Sequence, residues 1–255
     1  MLTLITPTGD RPVPFAECVR YVNRSTRRPD VWIVVDDGRD PATREALNRA
    51  EVEVNYIHHA PMEGHSLIRN LRLACDEVTA GSDVAVFEDD DYYPADYLEG
   101  VEALLRHGAH CCGAYRHQYF NLGNRCWRGY RNGHTLCTHS LGFDWRGFDF
   151  FAENAVFGSD RINCDTLLGD IWPVDRLGPR AHEKILPTHL VGWRCCTARP
   201  GITPGHRRVA GGKWQADPEG RQLAAWIGET EARRIIDIEQ RAFEALEKGG
   251  MICRP

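Results

Sequence analysis

The sequence lacks the features that mark several broad classes of protein. No run of 18 apolar residues occurs, and the first residues form a short strand-like segment instead of a basic region followed by an apolar one. The ten cysteines include no Cys-x-x-Cys pair, which argues against a thioredoxin-type site and a standard zinc knuckle. We therefore expect a protein with no membrane span that works in the reduced cytoplasm.

Composition and charge indicate a globular protein with an asymmetric surface. The 255 residues are 42% hydrophobic and 26% charged, which allows a substantial core. Residues 1–105 carry a net charge of −10, residues 106–213 of +7 and residues 214–255 of −2. The basic middle third favours contact with an anionic group, although surface charge often serves only solvation.

The first hundred residues alternate strand and helix patterns, which is typical of a parallel sheet with helical crossovers. Apolar runs predict strands at residues 2–6, 31–35, 52–57 and 84–87. Amphipathic spacing predicts helices near residues 15–22, 41–47, 66–78 and 94–105, with Asp40 and Ser66 as N-caps. Ligands bind such sheets at the carboxyl ends of the strands, where the sequences TPTGDR, DDG and EDDD lie.

The remainder of the chain is less regular. The pattern predicts strands near residues 111–120 and 134–141 and a helix near residues 160–168. A final amphipathic helix is expected over residues 229–248, ending at Gly249 and Gly250.

A run of carboxylates, Glu88 to Asp91, follows the fourth predicted strand. Such carboxylates repel one another unless a cation lies among them. Strand alternation would point Asp89 and Asp91 the same way, as oxygen ligands for Mg²⁺ or Mn²⁺. The alternative is a solvated acidic turn that caps the helix expected from Pro94.

The order of the motifs TPTGDR, VVDDG, GHSLIRN and VFEDDDYYP closely resembles the family 2 glycosyltransferases of GT-A fold. The resemblance is dense over residues 2–105 and thins beyond them. It implies an α/β fold, a GT-A-like Rossmann-type mixed sheet flanked by helices, with a C-terminal helix. We expect a catalytic domain over residues 1–215, divided into a nucleotide-sugar half (1–105) and an acceptor half (106–215), and a helical extension over residues 216–255.

The resemblance implies a role for each motif of the nucleotide-sugar half. The nucleotide base would meet Thr6, Pro7 and Thr8, with Arg11 nearby, and Asp36 or Asp37 would accept the uracil N–H. Arg69 would meet the diphosphate, Asp89 and Asp91 the metal, and Asp90 the ribose or sugar. The alternatives are an exposed helix charge at Arg69 and a structural turn at Asp36 and Asp37. Arg39 stands where the family commonly has serine, and Glu88 leaves the register of the D-x-D motif open by one residue.

Inverting transfer needs a base that deprotonates the acceptor hydroxyl. The resemblance implies an acidic residue at the start of a later helix, and Asp165 fits better than Asp160, although either also suits a helix N-terminus. It also implies a late histidine on the metal, for which we favour His206 over His189. A surface loop histidine is the alternative.

Arginine and aromatic residues are interleaved in the segment from Arg106 to Arg146, where Asp144 is the single acid. This composition suits phosphate and ring binding, or else cation–π and core packing. We expect Arg125, Trp127, Arg128 and Arg131 to bind the acceptor, either DNA with a hydroxymethylated base or a lipid-linked sugar. Cys126, His134, Cys137 and His139 match no common zinc module, so packed or acceptor-facing side chains are favoured over a zinc site.

The sequence therefore predicts an inverting, Mn²⁺- or Mg²⁺-dependent enzyme that moves a hexose from a nucleotide diphosphate sugar, UDP-linked by preference, to an acceptor hydroxyl. One alternative is transfer to a saccharide or a lipid-linked glycan. A nucleotidyltransferase is a further alternative, although the glycine-rich phosphate loop with lysine is missing. An inactive nucleic-acid or glycan-binding module is the non-enzyme alternative.

Overall fold

A computed structural model describes residues 1–61, 66–114, 116–131, 140–158, 172–177, 181–182, 186–196 and 214–249. The described strands are β1 (Leu2–Thr8), β2 (Val31–Asp36), β3 (Val54–His58), β4 (Asp83–Val86), β5 (Cys111–Gly113), β6 (Arg116–Asn121), β7 (Cys126–Arg131), β8 (Gly142–Phe143), β9 (Ala181–His182), β10 (His189–Val191) and β11 (Gln215–Ala216). The described α-helices are α1 (Pro12–Arg24), α2 (Pro41–Ala46), α3 (Ser66–Asp76), α4 (Tyr97–Arg106), α5 (Trp145–Phe151), α6 (Val174–Leu177), α7 (Arg221–Ile227) and α8 (Glu229–Lys248).

The larger sheet has seven strands in the order β3-β2-β1-β4-β8-β5-β9. Strands β3, β2, β1 and β4 are parallel, as the alternating pattern predicts, and β8 is antiparallel to both of its neighbours. The carboxyl ends of β1, β2 and β4 therefore meet at one edge of the sheet. This edge receives the polar sequences that follow each strand.

Helices cover both faces of this sheet. On one face, Leu4 and Trp32 pack with Phe15 of α1. On the other face, Ile5 and Ile33 pack with Leu71 of α3. The continuous apolar runs of β1 and β2 are explained by this burial on both faces.

A second sheet of four strands has the order β10-β6-β7-β11. Strand β10 is parallel to β6, whereas the other two pairs are antiparallel. A bridge between Tyr92 and Thr188 joins the segment after β4 to the segment before β10. The second sheet is thereby brought to the carboxyl edge of the first.

The C-terminal helices pack against α1. Arg20 forms ion pairs with Glu231 of α8, and Arg234 of α8 pairs with Glu17. Gly228 separates α7 from α8 and has a φ of +88°, a conformation that favours glycine. The predicted helix over residues 229–248 is confirmed.

Some predicted elements differ from the structure. The strand expected over residues 111–120 is two strands, β5 and β6, which belong to different sheets. The helix expected from Pro94 begins at Tyr97, because Ala95 and Asp96 form a turn before it. The predicted helix 160–168 and most of the predicted strand 134–141 lie outside the described residues.

The pattern also missed several elements, among them β7, α7 and α5. Asp144 caps α5 by accepting a hydrogen bond from Gly147 N at 2.9 Å. A π-helical turn, Ala152–Val156, continues α5. The helices within the described ranges are each too short or too polar to cross a lipid bilayer.

Candidate active site

The carboxylate run lies in a turn beyond β4, not within the strand. β4 ends at Val86, and the run then forms a turn in which Glu88 N donates to the Tyr93 hydroxyl at 2.8 Å. Strand alternation therefore does not orient these side chains, contrary to the sequence expectation. Asp89, Asp90 and Asp91 are at most 4% exposed, so their charges must be compensated by protein groups, protons or a cation.

Two carboxylates of the run are held by the loop after β1. Arg11 Nη2 lies 2.6 Å from Asp89 Oδ1, and Arg11 Nη1 donates to Asp90 Oδ2 at 2.9 Å. The Thr8 hydroxyl donates to Asp89 Oδ2 at 2.6 Å. The motif TPTGDR and the carboxylate run, about 80 residues apart in sequence, thus form one site.

Asp91 is bound from the opposite side by β10 of the second sheet. Leu190 N donates to Asp91 Oδ1 at 2.9 Å, and His189 Nδ1 lies 2.6 Å from Asp91 Oδ2. Glu88, Asp91 and His189 each offer a ligand atom, and these atoms all lie within 4.8 Å of one another. Among the described residues, this is the group with the spacing of a metal site.

The pKa values of this cluster reveal a deficit of positive charge. Burial raises the pKa of Glu88 to about 8 and that of Asp89 to about 7. Burial alone would lower the pKa of His189, but the Asp91 carboxylate outweighs it and raises the value to about 9. Four carboxylates face Arg11 and His189, so a divalent cation would offset most of the excess negative charge.

The donor set fits a divalent metal. Carboxylate oxygens suit Mg²⁺ and Mn²⁺, and an imidazole nitrogen is compatible with Mn²⁺. Metal ligands must be deprotonated, so a bound cation would displace the protons that Glu88 and His189 hold without it. The residues that fit are Glu88, Asp91 and His189, whereas Asp89 contacts Arg11 and Thr8.

Asp36 and Asp37 end β2 at the same edge of the sheet. Asp36 accepts hydrogen bonds from the Tyr56 hydroxyl and from Gly38 N, each at 2.8 Å. Arg69 Nη2 donates to Asp37 Oδ2 at 2.9 Å. The predicted base-binding and diphosphate-binding residues are therefore in direct contact with each other.

The loops after β1 and β2 approach each other closely at Gly38. A Cβ atom at this position would lie 2.3 Å from Asp10 N. Asp10 Oδ1 accepts hydrogen bonds from Arg39 N at 2.5 Å and Asp40 N at 3.0 Å. Glycine is required in the DDG sequence because a side chain would separate the two loops.

Thr6 and Pro7 lie within β1 and are buried. The Thr6 hydroxyl accepts a hydrogen bond from Trp32 Nε1 at 2.9 Å. This bond directs the Thr6 side chain toward α1 and the core. The predicted contact of Thr6 with a nucleotide base stays a prediction.

The predicted acceptor residues lie on and beside β7, but on different faces. The Trp127 ring packs edge-on against Trp226 of α7, with centroids 5.5 Å apart. The Arg128 guanidinium lies 5.6 Å from the centroids of both Tyr119 and Trp214.

Strand pairing places Arg128 in line with His189 of the candidate metal site. Arg128 is opposite Tyr119 in the β6–β7 pair, and Tyr119 is opposite His189 in the β6–β10 pair. The Tyr119 and His189 rings are in edge contact, with centroids 4.5 Å apart. Trp127 and Arg128 are consecutive in β7 and therefore point to opposite faces of the sheet, so the four predicted acceptor residues do not share one face.

Several predicted residues lie outside the described residues: Asp165, Asp160, His206, His134, Cys137 and His139. Cys126 is described and is buried in β7. His189, the less favoured histidine, lies at the carboxylates, and His206 stays a prediction. The sequence indicates only a wider carboxylate run at Glu88 and an aromatic residue among arginines at Tyr119, because strand pairing is not visible in the sequence.

The sequence matches the family model of glycosyl transferase family 2 over residues 3–168. Since the match spans more than half of the chain, the protein belongs to glycosyl transferase family 2, as its motifs predict. No curated protein matches the sequence.

The fold is similar to that of a solved mannosyltransferase. The mannosyltransferase PcManGT from Pyrobaculum calidifontis, in complex with GDP-Man and Mn²⁺, is 13% identical with a TM-score of 0.54, over 97% of this chain and 75% of that one. TarS from S. aureus is 12% identical with a TM-score of 0.49, over 93% and 64%. A 4-diphosphocytidyl-2C-methyl-D-erythritol synthase from Anaerococcus prevotii is 9% identical with a TM-score of 0.46, over 72% and 87%. The likeness to PcManGT shows the fold alone and confirms the predicted GT-A-type α/β fold.

Proposed function

We propose that this glycosyltransferase moves a hexose from a nucleotide diphosphate sugar to an acceptor hydroxyl, with inversion and with a divalent metal. The observation that carries the proposal is the group of Glu88, Asp91 and His189 at the carboxyl edge of the sheet. Beside it, Arg11 and Arg69 supply cations at the ends of β1 and β2. Carboxylates for a metal and guanidinium groups for phosphate are the functional groups that a nucleotide diphosphate requires.

In this proposal Glu88, Asp91 and His189 hold Mn²⁺ or Mg²⁺. The metal, when bound, neutralises the charge that develops on the departing diphosphate. The Arg69 guanidinium extends from α3 to Asp37 after β2, where it can exchange its bond to Asp37 for one to a phosphate oxygen. Arg11 keeps Asp89 and Asp90 oriented toward the donor.

The transfer itself is a single displacement. The acceptor oxygen bonds to the anomeric carbon as the bond from that carbon to the diphosphate oxygen breaks. Asp165 takes the proton of the acceptor hydroxyl, so a nucleoside diphosphate and an inverted glycoside are formed. We propose a UDP-linked donor, and the bound GDP-Man of PcManGT makes a GDP-linked donor the comparison to test.

Donor binding and hydrolysis test this function. A thermal-shift screen of UDP- and GDP-sugars with Mn²⁺ or Mg²⁺ should raise the melting temperature, since a ligand that binds only the folded state stabilises it. Prolonged incubation should release nucleoside diphosphate and free sugar only with metal. Release of nucleoside monophosphate and sugar 1-phosphate would instead indicate attack at the nucleotide phosphate, as in nucleotidyl transfer. The absence of metal-dependent binding of any nucleotide sugar would refute the proposal.

For the acceptor we propose an anionic molecule, with hydroxymethylated DNA as the candidate. Residues 106–213 carry the net charge of +7. Arg128 is paired with Tyr119 across neighbouring strands, and Tyr119 is paired with His189. A neutral saccharide or a lipid-linked glycan is the alternative acceptor.

A further inference from the structure

The segment that carries His189 is fixed at both of its ends by buried polar contacts. At its start, Leu190 N and His189 Nδ1 bind the two oxygens of Asp91. Four residues after His189, the Trp193 indole donates from Nε1 to the Asp90 carbonyl oxygen at 3.1 Å. The segment therefore contacts the carboxylate run through two separate residues of that run.

Its backbone also has little freedom between these contacts. Gly192 has a φ of +75°, and a Cβ atom there would lie 2.5 Å from Asn121 Oδ1. Leu122 N donates to the Val191 carbonyl oxygen at 2.8 Å. A displacement of the residues after Gly192 would thus be transmitted toward His189 instead of being absorbed at the turn.

The residue after Trp193 binds the C-terminal helix α8. Arg194 donates from its backbone N at 3.0 Å and from Nε at 2.9 Å to Glu239 Oε1, and from Nη2 at 2.7 Å to Glu239 Oε2. Glu239 is fully buried. Arg194 also donates to Gln240 Oε1 at 2.6 Å, and its guanidinium lies 4.2 Å from the Phe243 ring centroid.

A fully buried carboxylate that accepts three hydrogen bonds from one residue fixes both the backbone and the side chain of that residue. The Glu239 hydrogen bonds hold the pKa of Arg194 above its ordinary value despite the opposing effect of burial. A contact of this kind is costly to break, because the fully buried Glu239 carboxylate would then remain without its partner.

We propose that Glu239 is a positioning residue for the metal site, acting through Arg194 to hold His189 against Asp91. The inference rests on the proposed function for the identity of the metal but not for the contact itself. It gives the C-terminal helix a role in the chemistry, although this helix supplies no ligand. Residues that orient metal ligands typically change metal affinity by about 10- to 100-fold when they are replaced.

Mn²⁺ binding to the full chain tests this role without a measurement of turnover. Glu239→Gln keeps the size of the side chain but places an amide against the Arg194 guanidinium. We expect its Kd for Mn²⁺, measured by the EPR signal of free Mn²⁺, to rise by about 10-fold or more. Arg194→Lys, which retains the charge and loses the multiple contacts, is expected to show a smaller rise and serves if Glu239→Gln does not fold.

Glu231→Gln is the matched control. Glu231 lies on the same helix and pairs with Arg20 and Arg24 of α1, and within the described part of the chain it forms no ion pair with residues 189–194. This variant should lower the melting temperature while its Kd for Mn²⁺ stays within about twofold of wild type. A folded Glu239→Gln protein with the wild-type Kd, or an equal loss in Glu231→Gln, would overturn the proposal.

Amide hydrogen exchange in the metal-free protein separates this inference from the proposed function. If His189 is held through Glu239, the Leu190 amide should exchange faster in Glu239→Gln than in wild type or Glu231→Gln. Faster exchange would support the positioning role even if the wild-type protein bound no metal. The absence of metal binding would refute the proposed function but not the positioning role. Unchanged exchange at Leu190 would refute the positioning role.

Discussion

Each carboxylate of the run from Glu88 to Asp91 meets a different set of partners. Asp89 contacts Arg11 and Thr8, whereas Asp91 contacts His189 and Leu190. The four residues are adjacent in sequence, yet they are not chemically equivalent. Single substitutions at this run should therefore separate metal binding from donor binding.

Glu88→Gln is expected to weaken Mn²⁺ binding by about 10-fold or more, because it removes an anionic ligand at constant size. Without metal the variant should be at least as stable as wild type at pH 7, since burial of the Glu88 carboxyl requires the uptake of a proton that the amide does not need. Mn²⁺ titration and thermal melting measure the two effects.

Asp149→Asn, which changes an exposed carboxylate of α5, is the control for the loss of one negative charge. Asp91→Asn should behave as Glu88→Gln does, whereas Asp89→Asn should affect the Arg11 contact more than the metal. Full activity of Glu88→Gln and Asp91→Asn in the presence of a chelator would contradict the metal assignment.

Asp165→Asn tests the proposed base. The amide keeps the size of the side chain but accepts no proton, so turnover should fall by about 10²- to 10⁴-fold while donor affinity changes little. Steady-state kinetics and donor titration measure the two quantities. If Asp160→Asn is inactive and Asp165→Asn retains activity, the base is Asp160.

At the scale of elements, α8 is attached to α1 by a network of charged side chains. Glu231 binds Arg20 and lies 3.5 Å from Arg24, and Arg234 binds Glu17. Burial would raise the pKa of Glu231, but its hydrogen bond to Arg20 outweighs burial and lowers the pKa below its ordinary value of 4.5.

This lowered pKa predicts that the attachment of α8 depends on pH. A carboxyl group with a lower pKa in the folded state stabilises the fold above its unfolded pKa, and this contribution is lost as the pH falls through the folded pKa. Glu231→Gln should thus lose up to about 1 kcal/mol in the free energy of unfolding at pH 7. The difference from wild type should shrink below pH 4.5, as measured by urea unfolding at pH 7, 5 and 3.5. A difference that is the same at all three values would contradict the role of the Glu231 charge.

A strand or helix could be predicted from the sequence where its local hydrophobic pattern determines it. The strand Val31–Asp36 and the helix Glu229–Lys248 carry strong local patterns, because one is buried on both faces and the other is amphipathic. Strands β5 and β6 are close in sequence but belong to separate sheets, and hydrophobic pattern carries no information on that division. The proposed boundary at residue 216 stays a prediction.

The contacts of the candidate site also differ in how far the sequence predicts them. Asp36, Asp37 and the carboxylate run follow strands, so their meeting at one edge is a consequence of the parallel sheet. The contact between Asp91 and His189 joins residues 98 positions apart. It depends on the second sheet, whose pairing sets the register of β10, and no local signal in the sequence specifies it.

At the scale of the whole molecule, the charge is divided between an acidic N-terminal part and a basic middle part. A polyanionic acceptor would be repelled by residues 1–105 and attracted by residues 106–213. Transfer to hydroxymethylated DNA should therefore fall steeply as salt rises, and the target base would have to leave the duplex stack. Measurement of glycosylation across a salt series, with a neutral oligosaccharide beside the DNA, tests this expectation.

Arg128→Ala should weaken sugar transfer to DNA more than Arg125→Ala does. The reason is that Arg128 pairs with Tyr119, which in turn pairs with His189 of the candidate site. The triple variant of Arg125, Arg128 and Arg131 provides the upper limit of the effect. Salt-independent transfer to the neutral oligosaccharide, unaffected by the triple variant, would exclude the anionic acceptor and leave the glycosyltransferase activity in place.

The bond from the Trp193 indole to the Asp90 carbonyl oxygen also has a spectroscopic consequence. Trp193 is 1% exposed and is bound directly to the carboxylate run. Paramagnetic Mn²⁺ at the neighbouring carboxylates would quench the fluorescence of Trp193, whereas diamagnetic Mg²⁺ would not quench it. The protein thus carries a fluorescent reporter of its own metal site, and Trp193→Phe would identify that signal against the six other tryptophans.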